Sequence, residues 1–140
     1  MMNKFSATFD YKLIYVFRIN EKTHKGLLKI GDATIHTETP INTLLPNSRE
    51  LNNAAKNQIN SYILTAGITY ELLYTELATR KEKVEGIEKE KSFRDYKVHN
   101  VLIRSKIKKH NLGADVNENE WFKMDLEIDK KSIKAAKDGQ

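Results

Sequence analysis

The chain has 140 residues, 39% hydrophobic and 31% charged, with a formal net charge of +5. That length suits one domain able to bury roughly two thirds of its unfolded surface, and the absence of cysteine excludes disulfides and thiolate zinc sites. No apolar run approaches the ~20 residues of a membrane helix, and the start Met1-Met2-Asn3-Lys4-Phe5-Ser6 lacks the apolar segment of a signal peptide, so the expectation is a cytoplasmic protein without a membrane partner.

Asn3 to Asp10 reads as a leader or a short extension of the first strand. Leu13-Ile14-Tyr15-Val16-Phe17-Arg18-Ile19 is β-branched and aromatic, the composition of a strand. Asn20 to Gly26 is polar and ends in Gly, as a hairpin loop does. Leu27 to Gly31 supplies a second strand, which Gly31 closes. Strands joined by a short loop pair antiparallel, which places Tyr15 and Lys29 on neighbouring strands. A Tyr beside a Lys is an acid–base pair in principle, because a nearby ammonium favours the phenolate.

Asp32 to Asn47, with Pro40, Pro46 and several Thr and Asn, reads as a long loop. Ser48 is a good N-cap for a helix running to Tyr62, with Leu51, Ala55, Ile59 and Tyr62 on one face. Arg49 falls in its first turn, where the helix dipole disfavours a cation. Either Arg49 is an ordinary surface residue or its guanidinium faces an anion at the helix N-terminus. After Thr65-Ala66-Gly67, the stretch Ile68 to Thr79 fits a strand or a helix, and its β-rich residues favour a third strand. Arg80 to Lys91 is charge-dense and reads as an exposed connector.

Ser92 is the expected N-cap of a second helix, forming a capping box with Asp95 and running to about Ile107. Asp95 and His99 are four apart and project from the same side, a spacing that suits a metal site or a proton relay. Capping competes as the role of Asp95, and packing in the core as that of His99. Lys91, Arg94, Lys97, Arg104, Lys106, Lys108 and Lys109 give seven positive charges against the single acid Asp95. They form either a phosphate-binding face or a solvated helix surface. Asn111-Leu112-Gly113 stops the helix, Asp115 to Asn119 is a polar loop, and Leu126 to Lys137 is a closing helix with Leu126, Ile133 and Ala136 inward.

Leu13-Ile14-Tyr15 followed by Lys29-Ile30-Gly31 resembles the paired motif of the GIY-YIG nuclease superfamily, in the branch whose second motif reads Lys-Ile-Gly with a Thr shortly after, here Thr34. The later Asp95-Tyr96-Lys97-Val98-His99, with Asp in place of the usual Glu, and Glu120-Trp121-Phe122 are similar to that branch as well. The resemblance spans about residues 11–122. It implies an α+β fold, a small three-stranded antiparallel sheet flanked by helices. It also implies hydrolysis of DNA phosphodiester bonds, of restriction or repair type, with Mg²⁺ or Mn²⁺. By the same resemblance Tyr15, Lys29, Arg49 and His99 are the catalytic candidates and Asp95 holds the metal. Asn117 and Asn119 stand in for a late Asn of the superfamily, and Trp121 is an aromatic anchor or a base-stacking platform.

Domains of this branch are often fused to helicase or restriction modules, so a partner of that kind is expected, and the chain reads as one domain or a fragment of a longer protein. The alternative is a catalytically silent DNA-binding or interaction domain of such an assembly.

Overall fold

The computed structural model describes residues 9–19, 26–63, 69–104, 109–110, 121–123 and 125–138. Its architecture is α+β. Three long antiparallel strands, β1 (Phe9–Ile19), β2 (Leu27–Thr37) and β3 (Tyr70–Leu77), stand in the order β3-β1-β2, and the short β7 (Trp121–Lys123) and β6 (Lys109–His110) extend the sheet beyond β2. A separate hairpin pairs β4 (Thr79–Val84) with β5 (Ile87–Ser92). The helices are α1 (Arg49–Ile63), α2 (Asp95–Arg104) and α3 (Leu126–Lys137), and Ile41–Thr43 make one 3₁₀ turn.

Strand alternation divides the core in two. Leu13, Tyr15 and Phe17 of β1, with Ala33 and Ile35 of β2, pack against Leu51, Ala55 and Ile59 of α1. Ile14 and Val16, with Leu28 and Ile30, pack on the opposite face with Val98 and Leu102 of α2, Phe122 of β7, and Ile133 and Ala136 of α3. The sheet is therefore sandwiched between α1 on one side and α2 with α3 on the other. Leu51, Ala55 and Ile59 are fully buried, as their spacing on one helix face requires. Tyr62 of that stripe has a side chain outside the described residues.

Three segments differ from the sequence expectation. β2 does not stop at Gly31 but continues to Thr37, because Ala33 and Ile35 are buried while Thr34 and His36 are exposed; this period-2 pattern binds it to β1 as far as Phe9↔Thr37. The stretch from Arg80 to Lys91 is the β4–β5 hairpin rather than a connector. Its turn is Glu85-Gly86 at φ 54° and 80°, the pair of positive φ values of a type I′ turn, and Lys81↔Glu90, Glu82↔Lys89 and Lys83↔Glu88 set opposite charges across it. Ser92 closes β5 instead of capping α2. Its Oγ accepts from the Lys12 N–H at 3.3 Å. The end of the N-terminal segment, read as a leader or a short extension of the first strand, is that extension from Phe9 onward.

Of the remaining elements, α1, β3 and α3 agree with the sequence, whereas the short strands β6 and β7 have no counterpart in its reading. Ser48 Oγ accepts from Leu51 N–H at the start of α1, β3 is a strand, and α3 occupies Leu126–Lys137 with Ile133 and Ala136 inward. Among the described residues no helix is long and apolar enough to cross a membrane. The polar loop expected at Asp115 to Asn119, the Asn117 and Asn119 candidates and the Gly67 and Gly113 breaks lie outside the described residues.

Candidate active site around the second strand

The residues that carry the candidate chemistry meet on four consecutive positions of β2, Lys29-Ile30-Gly31-Asp32. Tyr15 is paired with Gly31 and Phe17 with Lys29, so Tyr15 and Lys29 are diagonal neighbours on the α1 face, a relation that spans about 7–8 Å between backbones. The hydroxyl end of the Tyr15 ring lies across the Gly31 Cα. A Cβ at position 31 would fall on the Tyr15 Cζ and hydroxyl and within 2.6 Å of its Cε1. Glycine is required here for close approach, with no demand on φ, and the ring is held over the strand as a consequence.

Tyr15 and Lys29 are both buried, at 3% exposure each. The Lys29 Nζ stands 6.0 Å from the centroid of the Phe17 ring, which itself packs 5.8 Å from Tyr15. A lysine this deep keeps its stem along apolar surface, and its ammonium sits at the aromatic face.

From the other side of the sheet α2 delivers His99 and Asp95. His99 is buried, its ring 5.3 Å from that of Phe122, and its Nε2 lies 3.0 Å from the Ile30 carbonyl oxygen. A carbonyl only accepts, so Nε2 carries the proton in this contact. His99 is thus a packed histidine, and its Nε2 ties α2 to β2. Asp95 is half-buried and opens α2. Its backbone N–H donates to Asp32 Oδ2 at 2.9 Å, and Arg94 Nε donates to the same oxygen at 2.9 Å.

Ile30, Gly31 and Asp32 are thus met in turn by His99, Tyr15 and Asp95. Asp32 is the residue that sequence reasoning missed. It falls in a stretch that reads as loop, and its partners are 62 and 63 residues away in sequence. The one signal that points to it is its position directly after the Lys-Ile-Gly motif.

Arg49 does not belong to this gathering. It is exposed on the first turn of α1, beside Glu50, whose carboxylate accepts from the hydroxyls of Thr37 at 2.9 Å and Thr39 at 3.1 Å. Beyond Gly31 a cavity of about 490 Å³ opens between β2 at Ala33–His36 and the α1 side chains Glu50, Asn53, Asn57 and Gln58.

The basic candidates separate by environment. Lys91 is exposed and its Nζ is 3.4 Å from Glu82, a carboxyl held below its ordinary pKa first by its hydrogen bond from Arg80 and further by Lys91. Arg94 is engaged by Asp32 although its side chain is 62% exposed. Lys97 lies over the ring of its neighbour Tyr96, 5.4 Å from the centroid. Lys106 and Lys108, and the side chains of Arg104, Lys109 and Trp121, lie outside the described residues.

No family model matches this chain. No curated protein and no solved structure matches it either. What the site can do is therefore read from its own side chains. A phenol and an ammonium on one face, with a carboxyl-bearing helix start and a strand-anchored imidazole on the other, combine proton-transfer groups with one hard oxygen ligand.

Proposed function

We propose that the chain is a divalent-metal-dependent endonuclease of GIY-YIG type that hydrolyses DNA phosphodiester bonds, acting alone or beside a helicase or restriction module. The observation that supports it is that consecutive residues of β2 are contacted by all three candidates: Gly31 by the Tyr15 ring from the α1 face, and Ile30 and Asp32 by the His99 ring and the Asp95 backbone N–H from the α2 face. Hydrolysis needs a deprotonated water, neutralisation of the phosphate and relief of charge on the leaving oxygen.

Tyr15 takes the proton from the attacking water, and Lys29 contributes positive charge on the same face. Arg49, exposed at the start of α1 and apart from the residues gathered on β2, contacts the DNA backbone away from the scissile phosphate through its planar donor fork. Arg94, Lys91 and Lys97, with Arg104, Lys106, Lys108 and Lys109, carry the DNA backbone in a salt-dependent way.

Asp95 is the residue that would hold Mg²⁺ or Mn²⁺. Among the described residues no three His, Cys, Asp or Glu are grouped as a metal cage. One carboxylate completed by water suits these strongly hydrated ions, which keep several waters when bound. Such an ion supplies Lewis-acid polarisation of the phosphoryl oxygen.

The test is conversion of supercoiled plasmid to nicked or linear forms with Mg²⁺ or Mn²⁺. Tyr15→Phe is expected to slow cutting by about 10²-fold or more, the share that a positioned general base contributes. A wild-type protein that binds DNA with a steep salt dependence and cuts with neither ion is the silent binding domain instead.

A further inference from the structure

We infer that Asp32 is the positioning residue for Asp95: its buried carboxylate sets where the first turn of α2 stands against β2, and through it the strength with which Asp95 binds a divalent cation. This rests on the nuclease reading. The first N–H groups of a helix have no partner within it and are ordinarily capped by a residue just upstream. Here the upstream Ser92 ends β5 and bonds to Lys12, and the cap of the Asp95 N–H comes from Asp32, 63 residues away.

One oxygen, Asp32 Oδ2, receives both the Asp95 N–H and Arg94 Nε–H, each at 2.9 Å. The Asp32 side chain is 7% exposed, so water competes little for that oxygen, and a negative charge at a helix N-terminus is favoured by the dipole. Asp32 also follows Gly31, whose backbone is clamped by the Tyr15 ring. A shift of the first turn of α2 against β2 therefore requires breaking both hydrogen bonds to Asp32.

The experiment uses the full chain, with Mn²⁺ alone as the binding probe and plasmid cutting as the second readout. Asp32→Asn keeps an oxygen that accepts the Asp95 N–H, whereas Asp32→Ala removes it. Groups that orient a metal ligand typically carry about 10–100-fold in affinity or activity. Asp32→Ala is expected to raise the Mn²⁺ concentration for half-maximal broadening of the Asp95 and Tyr96 amide resonances by about tenfold, and the metal concentration for half-maximal cutting with it. The KM for plasmid should change less than about twofold, and Asp32→Asn should restore most of the metal affinity.

A folded Asp32→Ala protein with the wild-type Mn²⁺ midpoint overturns the inference and leaves the nuclease reading standing. If Asp32→Ala fails to fold, Asp32→Asn alone decides: a Mn²⁺ midpoint within about threefold of wild type supports the anchor, and a loss of tenfold or more overturns it. A wild-type protein with no Mn²⁺ effect at Asp95 and no cutting removes both.

Discussion

The β1–β2 and β4–β5 hairpins are the same motif in opposite surroundings. Both are antiparallel pairs, yet β1 and β2 are 11 residues each and buried on both faces over residues 13–17 and 27–31, while β4 and β5 are six each and every residue of β5 is exposed. An isolated two-stranded hairpin is marginal in water, so β4–β5 leans on its turn and its charge pairs. Those pairs are exposed and individually weak. β1–β2 instead has α1 on one face and α2 with α3 on the other. Chemistry that needs sub-ångström placement gains from the second kind of support, and the candidate site sits on β2.

Truncation should separate the two hairpins most sharply. Phe17 is fully buried between Tyr15 and Tyr70, with a T-shaped ring pair at 5.5 Å. Phe17→Ala is expected to cost about 3–5 kcal/mol, read by urea unfolding. A loss below about 1 kcal/mol would show that this side of the sheet is loosely packed.

The covering layer carries the next effect. Asp129 of α3 is fully buried, and neither of its carboxylate oxygens has a hydrogen-bond partner among the described residues. Burial, and secondarily the charge of Asp125, pushes its pKa from 3.8 up to about 8. Because the folded value is the higher one, the native state holds a proton that the unfolded chain has already lost. The favourable contribution is fully present below the unfolded value and is lost as pH rises toward the folded one. Stability should therefore fall by up to about 1.4 kcal/mol per pH unit between about pH 5 and 7. Asp129→Asn should flatten that slope, and thermal melts across the range would show it; an unchanged slope would mean that the carboxyl has a partner.

The smallest effect belongs to the exposed hairpin. Ile87 sits beside its turn at 60% exposure, so Ile87→Ser should alter stability by no more than about 0.5 kcal/mol. A larger loss would mean that β4–β5 is covered in solution.

How much of this is legible in the sequence follows the same division. Alternation and helical stripes mark the long strands, α1 and α3, because burial imposes those periods on the sequence. β2 reads too short because Pro40, Pro46 and the polar residues around them outweigh the buried pair Ala33 and Ile35. The β4–β5 hairpin escapes because Thr79 is its one buried residue among those described and no apolar alternation marks it; Glu-Gly is also a weaker turn signal than Asn-Gly. Within the site, strand pairing is enough to place Tyr15 and Lys29 together. His99 and Asp95 are visible as a pair, but their meeting with β2 depends on how α2 packs, which no local pattern encodes. Asp32 is hidden for that reason, and Asp129 because an inward stripe is sought among apolar residues only.

The most direct test of the shared site is a double-mutant cycle on metal-dependent plasmid cutting with Tyr15→Phe, Asp95→Ala and both together. Residues that act on one phosphate as a unit are strongly non-additive, so the double variant should cut about as slowly as the slower single variant. Multiplying losses, or single variants that cut at the wild-type rate, would contradict a site gathered around Ile30, Gly31 and Asp32.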